Sequence, residues 1–151
     1  MKSSFARTAF FSLCRLLIGS VLLYAGFLKA VGPTAEFIAL IDAYKLLPHV
    51  LSPGFALILP YAEMSTGLFV LSGLYIRQAC WVATFMFSVF LVALGSTFVR
   101  GIDLVSCGCF GQDALSPKIT MGMDTLLGCL AVLLARFAPQ PSPYSLDSWL
   151  K

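Results

Sequence analysis

QACWVATFMFSVFLVALGSTFV, residues 78–99, contains no Asp, Glu, Lys or Arg. A spanning helix needs about 20 mostly apolar residues to cross a hydrocarbon core of roughly 30 Å, and this stretch is long enough. Working outward, three further stretches satisfy the same criterion. One runs from about Thr8 to Val31, interrupted by Arg15 and ending near Lys29. Another runs from about Gly54 to Ile76 with one charge, Glu63. A last one, from about Ile119 to Ala138, holds Asp124 near its start and Arg136 near its end. Across all 151 residues, 59% are apolar and 11% charged, and mean hydropathy is +0.91. Soluble domains carry about 45–50% apolar and about 25% charged residues, so a water-soluble fold is excluded. The ten basic residues are scattered, without the clustering that phosphate contacts require, which excludes a nucleic-acid binder.

The expected fold is therefore all-α: a four-helix transmembrane bundle over residues 1–138, followed by a Pro-rich tail over 139–151. Gly32-Pro33 stops the first helix, and Pro48 and Pro53 prevent simple continuation into the second. Between them, Thr34 to Leu47 places Phe37, Leu40, Ile41, Tyr44 and Leu47 on one arc of a helix, with Glu36, Asp42 and Lys45 outside it. This predicts a short interfacial helix in the first outer loop, lying on the bilayer or capping the bundle. A tight turn around Tyr75-Ile76-Arg77 joins spans two and three. Basic residues set the orientation. Lys2, Arg7, Arg15, Arg77, Arg136 and Lys151 share one side, and Lys29, Lys45, Arg100 and Lys118 the other. Both termini are expected in the cytoplasm of a bacterial inner-membrane protein, with the two longer loops outside. Met1 to about Ala30 is a poor cleaved signal peptide: its apolar region is long, contains Lys29 and lacks a small-x-small site.

Ser106-Cys107-Gly108-Cys109-Phe110-Gly111 is the most specific local feature. It lies in the loop from Arg100 to Lys118, outside the cytoplasmic membrane, where disulfides persist. A disulfide between Cys107 and Cys109 closes a small, strained ring. Such a bond is easily reduced and suits exchange better than stapling, since so short a loop constrains the unfolded chain very little. Gly108 supplies the backbone freedom this ring needs. Gly111 frees the turn beyond it, and Phe110 offers an apolar contact to the bundle or a partner. The same pair also fits a soft metal ion, although a closed zinc site needs four ligands and the loop supplies two.

Glu63 lies about nine residues, roughly 13 Å, into its span. A carboxylate at that depth is costly and points to function by default. Lys29, near the same membrane face, is its expected partner. The pair then serves either as a charge or proton relay beneath the cysteine loop, aiding thiolate formation or a bound quinone, or as a buried ion pair that fixes helix register. Cys14 and Cys80 lie at similar depth near the cytoplasmic side and form a second thiol pair if spans one and three are neighbours. A lone Cys on an apolar helix, Cys129 included, ordinarily packs as a small hydrophobe. His49 reads as a solvated interface residue and Arg15 as a side chain that reaches out to the interface. Gly19, Gly26, Gly67, Gly73, Gly95 and Gly122 suit close helix contacts.

In order along the chain, these residues resemble the methylamine-utilisation MauE family, a branch of the DoxX-like group of small four-helix membrane proteins. The resemblance covers roughly Arg15 to Leu134. It rests on Arg15, Gly19, Gly26 and Lys29 in the first helix, Tyr44-x3-Pro48, and Pro60, Glu63 and Gly67 in the second helix. Arg100-Gly101 and the Cys107–Gly111 signature complete it. The fourth helix departs from the pattern, because Met123 precedes Asp124 where the family often has a basic residue beside a polar one. The resemblance implies a role in maturing a periplasmic enzyme rich in disulfides, alongside a thioredoxin-like protein. The expected function is a membrane thiol–disulfide redox protein in which Cys107 and Cys109 exchange, supported by Glu63, Lys29 and Arg100. A quinone is a reasonable electron partner, although no motif shows it. Two rivals are transport or binding of a soft metal by the Cys107/Cys109 pair, and a non-catalytic assembly subunit.

Overall fold

Proline and glycine place the helix boundaries. The computed structural model describes the backbone of residues 2–101 and 117–137, and the side chains of residues 8–101 and 118–137. These residues form α1 (Lys2–Val31), α2 (Thr34–Ala43), α3 (Ser52–Ser72), α4 (Ile76–Arg100) and α5 (Pro117–Phe137), with no strand among them. Thr8–Val31, Ser52–Ser72, Ile76–Arg100 and Lys118–Phe137 are each long and apolar enough to cross a membrane. The expected all-α architecture, with four spans and a short additional helix, is what the chain adopts. The tail beyond residue 137 lies outside the described residues.

The ends differ from expectation for local reasons. Helix α2 stops at Ala43 instead of Leu47, because Lys45 turns into the left-handed region at φ 51°. Helix α3 begins at Ser52, ahead of Gly54, with Pro53 in its first turn, where a missing N–H leaves no hydrogen bond unmade. It ends at Ser72, well before Ile76. Gly73 caps it at φ 73° and its N–H donates to the Phe69 carbonyl at 3.0 Å. The reversal is completed by Tyr75 at φ 48°. The turn thus spans Gly73 to Tyr75, and Arg77 falls in the first turn of α4.

The bundle is built from two tight antiparallel pairs, α1 with α3 and α4 with α5, joined along lighter α3–α4 and α1–α5 seams. Helices α1 and α4 stand diagonally across it and do not pack along each other. One end is filled by a dry core that includes Ile18, Leu22, Val70, Ala83, Phe87, Leu127 and Ala131, with Cys14 and Cys80 among them. Both cysteines are free thiols packed as small hydrophobes, and Cys129 faces outward on α5. Arg15 is buried at 9% exposure, not extended to the interface. Exposed Leu57, Ile58, Leu68, Phe85, Val92, Leu126 and Leu133 clothe the outside, as lipid contact requires.

Small residues set the distance between α1 and α3. A Cβ on Gly67 would sit 2.9 Å from both the Gly19 carbonyl oxygen and the Leu23 nitrogen. On Gly26 it would sit 2.7 Å from the Pro60 carbonyl oxygen. In lipid, where apolar burial does not drive helices together, such backbone contact is a main source of association. Gly95 and Gly122, expected in the same role, have nothing within 4 Å of where a methyl would project, and Gly73 serves the turn. Gly67→Ala should therefore cost about 1–3 kcal/mol through overpacking against backbone. Gly122→Ala should be neutral or slightly stabilising. Unfolding of the purified protein in detergent checks the contrast.

Candidate functional site

The α1–α3 contact carries a buried pair of opposite charges. Lys29, in the last turn of α1, lies one turn beyond Gly26, and Glu63 follows Pro60 on the facing side of α3. The close approach at Gly26 brings the Lys29 Nζ to 2.5 Å from the Glu63 Oε1, with side-chain exposures of 4% and 0%. The ammonium donates and the carboxylate accepts. The Nζ also lies 5.0 Å from the centroid of the Phe90 ring on α4, a cation–π contact strengthened by exclusion of water. The other carboxylate oxygen, Oε2, has no hydrogen-bond partner among the described residues. The sequence-predicted pair is thus formed, and Phe90 joins it unannounced by any spacing signal.

Above the pair lies a cavity of about 250 Å³. Its walls come from Phe37, Leu40, Ile41 and Tyr44 of the α2 region, Phe55 and Leu59 of α3, and Val89, Phe90, Ala93 and Leu94 of α4. Lys29 contributes its charged lining. The apolar arc expected on α2 therefore caps this end of the bundle, over a space instead of a filled core.

Two polar contacts hold α2 there. Arg100, at the end of α4, donates to the Tyr44 and Lys45 carbonyls at 3.5 and 3.2 Å. These are carbonyls that the left-handed turn at Lys45 leaves without a helical partner. Asp42 accepts from the Ser52 hydroxyl at 2.5 Å and from His49 Nδ1 at 2.5 Å, tying α2 to the start of α3. The Ser52 hydrogen bond, opposed by some desolvation and aided by His49, holds the Asp42 carboxyl below its ordinary value. Sequence reasoning put Asp42 outside the apolar arc and left His49 solvated, so it missed this clamp. The one signal was the grouping of Asp42, His49 and Ser52 within eleven residues around Pro48. His49 is indeed largely exposed, but it is engaged.

Cys107, Gly108, Cys109, Phe110 and Gly111 lie outside the described residues. Their flanking anchors do not. Arg100 and Gly101 close α4 at the end where α2 sits, and α5 starts from that end at Pro117. Among the described residues no cluster of three or more His, Cys, Asp or Glu is placed to hold a metal ion. Asp124 and Thr120, on one face of α5, are 4% and 0% exposed, a second buried carboxylate that the sequence placed only near the start of its span.

Residues 7–137 match the family described as methylamine utilisation protein MauE. A methylamine utilization protein MauE from Methylophilus methylotrophus is 34% identical over 98 residues, covering 64% of this chain and 50% of that protein. Its counterpart from Paracoccus denitrificans is 26% identical over 129 residues, covering 84% of this chain and 69% of that protein. The chain therefore spans half to about two thirds of the length of these curated relatives. No solved structure matches it.

Removing one partner of the ion pair leaves the other charge buried. Lys29→Met should destabilise the protein by about 3–5 kcal/mol, and adding Glu63→Met should recover most of that loss. A double-mutant cycle of unfolding in detergent measures the coupling. For the clamp, a depressed carboxyl stabilises the fold above its unfolded value, about 3.9, and loses that contribution as pH falls through the lower folded value. The stability gap between wild type and Asp42→Asn should hold steady from neutral pH down to roughly pH 4 and close below it. Thermal unfolding across that range reads it out.

Proposed function

This chain belongs to the MauE family of multi-pass membrane proteins, and from that premise we propose that it is a thiol–disulfide exchange protein of the bacterial inner membrane. Cys107 and Cys109 are its exchanging pair, facing the periplasm, with both termini in the cytoplasm. Its partner is a periplasmic thioredoxin-like protein, and the pathway serves maturation of an exported, disulfide-rich enzyme used in methylamine utilisation.

The observation that carries this reading is the shared end of the bundle. The segment with the Cys-Gly-Cys signature leaves from Arg100-Gly101 and returns at Pro117, at the end where Lys29 and Glu63 are buried beneath α2. A strained two-cysteine ring favours exchange over stapling. An ion pair buried at the end where that segment is anchored is a costly charge deep in a span, which points to function by default. Exchange proceeds by thiolate attack on a partner disulfide, through a mixed disulfide. Arg100 supports the pair indirectly, since it fixes α2 to the end of α4, from which the cysteine segment follows in the chain.

Trapping tests the proposal. Cys107→Ser or Cys109→Ser, expressed in cells with the partner present, should accumulate a mixed disulfide with a periplasmic protein, visible as a reducible band. Lys29→Met/Glu63→Met, which removes both charges and so recovers most of the stability lost in either single variant, should slow exchange in protein that still folds. Loss of both thiols without any effect on enzyme maturation would identify an assembly subunit. Metal-dependent protection of both thiols from alkylation, with no trapped partner, would identify a soft-metal site.

A further inference from the structure

We infer that the cavity beneath α2 is a binding site for a lipid-soluble quinone, the electron acceptor of the thiol pair; this rests on the redox reading above. The first argument is the character of the walls. They are aliphatic and aromatic, with Phe37, Tyr44, Phe55 and Phe90 around the space and Lys29 as the charged group among them. A ligand that fits is neutral and flat, with an apolar body and an acceptor oxygen. At about 250 Å³ the space lies near the lower end of small-molecule sites, roughly 300 Å³, which suits one substituted ring. Leu46 and Phe55 on the lining are 44% and 36% exposed, so an isoprenoid tail has an apolar way out toward lipid.

The second argument is the placement of Lys29. An ammonium has three N–H donors, one of which goes to Glu63, so donors remain for a quinone carbonyl oxygen. Behind it the Glu63 Oε2 has no partner among the described residues, which gives the pair an open position for a proton. A tail-binding groove for phospholipid would have no use for a desolvated cation joined to a carboxylate.

The third argument is reach. Phe90 touches the ion pair at the floor, and Tyr44, on the upper wall, gives its carbonyl to Arg100. The α4 wall of the cavity runs from Val89 to Leu94, about 7 Å at 1.5 Å per residue, on the side of Phe90 that leads to Arg100. The cavity therefore extends from the pair toward the end where the cysteine segment leaves. In the reaction, two thiols lose two electrons and two protons as one S–S bond forms. The quinone takes up two electrons and two protons and becomes the hydroquinone. Lys29–Glu63 passes protons to the quinone oxygen and is restored by those the thiols release.

Decylubiquinone binding to the full chain in detergent tests the site. Saturable binding should persist in the Cys107→Ser/Cys109→Ser double variant, because the cavity does not need the thiols. Ala93→Phe and Leu40→Trp, which fill the space from α4 and α2, should each weaken binding about tenfold or more while the protein remains folded. Lys29→Met/Glu63→Met, which recovers most of the stability lost in the single variant, should weaken it comparably. Decylbenzene, which has the tail and no carbonyls, should compete poorly. Unchanged binding in both filled variants, or equal competition by decylbenzene, would overturn the assignment and leave the trapping experiment untouched. With pre-reduced wild type, one hydroquinone should form for each pair of thiols lost, followed by ultraviolet absorbance. Bound quinone that stays oxidised while the thiols exchange with a partner would overturn its role as acceptor.

Discussion

A carboxylate buried at 0% exposure in an apolar bundle keeps its charge at low cost when a cation is in contact, and the meeting of Glu63 with Lys29 is the constraint on which the rest depends. Lysine reaches the carboxylate because α1 and α3 touch backbone to backbone, with Gly19, Gly26 and Gly67 at the contact. Pro60 shares that face, and its carbonyl lies where a larger residue at position 26 would have to go. Residues that look unrelated along the chain are thus one device: glycines set the spacing, and the spacing permits the ion pair.

The ends of the bundle are unlike each other. One is packed with interlocking Ile, Leu, Ala and Phe side chains, with two buried thiols used as filler. The other is bridged by α2, a ten-residue helix too short to be stable alone. Its position depends on contacts from two neighbours, the Arg100 side chain from α4 and the Asp42–Ser52 bond to α3. A helix pinned at its edges can roof a space without filling it, which is why a cavity forms beneath it.

The spans were legible because lipid imposes a simple length and polarity rule, and the 22-residue stretch ending at Val99 meets it without a charge. The Lys29–Glu63 pairing was legible for the same reason, since few charges were left inside. Boundaries were less so: Lys45 and Tyr75 adopt left-handed backbone without being glycine, and no composition signal marks them. The roles of glycines separated only in three dimensions, because Gly67 and Gly122 look alike in sequence while one faces a backbone and the other open space. The cavity had no signature at all. It arises from which walls meet, whereas periodicity reports only which residues are apolar.

Lys29 and Glu63 are 34 residues apart and both belong to the first helix pair. During synthesis the lysine precedes the carboxylate, so when α3 leaves the translocation channel its counter-ion is already in place on α1. The glutamate need never face hydrocarbon alone, and a cost of a few kcal/mol for an isolated charge at mid-bilayer is avoided at insertion. The order of the two residues along the chain is therefore part of how the membrane accepts this protein, quite apart from what the finished bundle does.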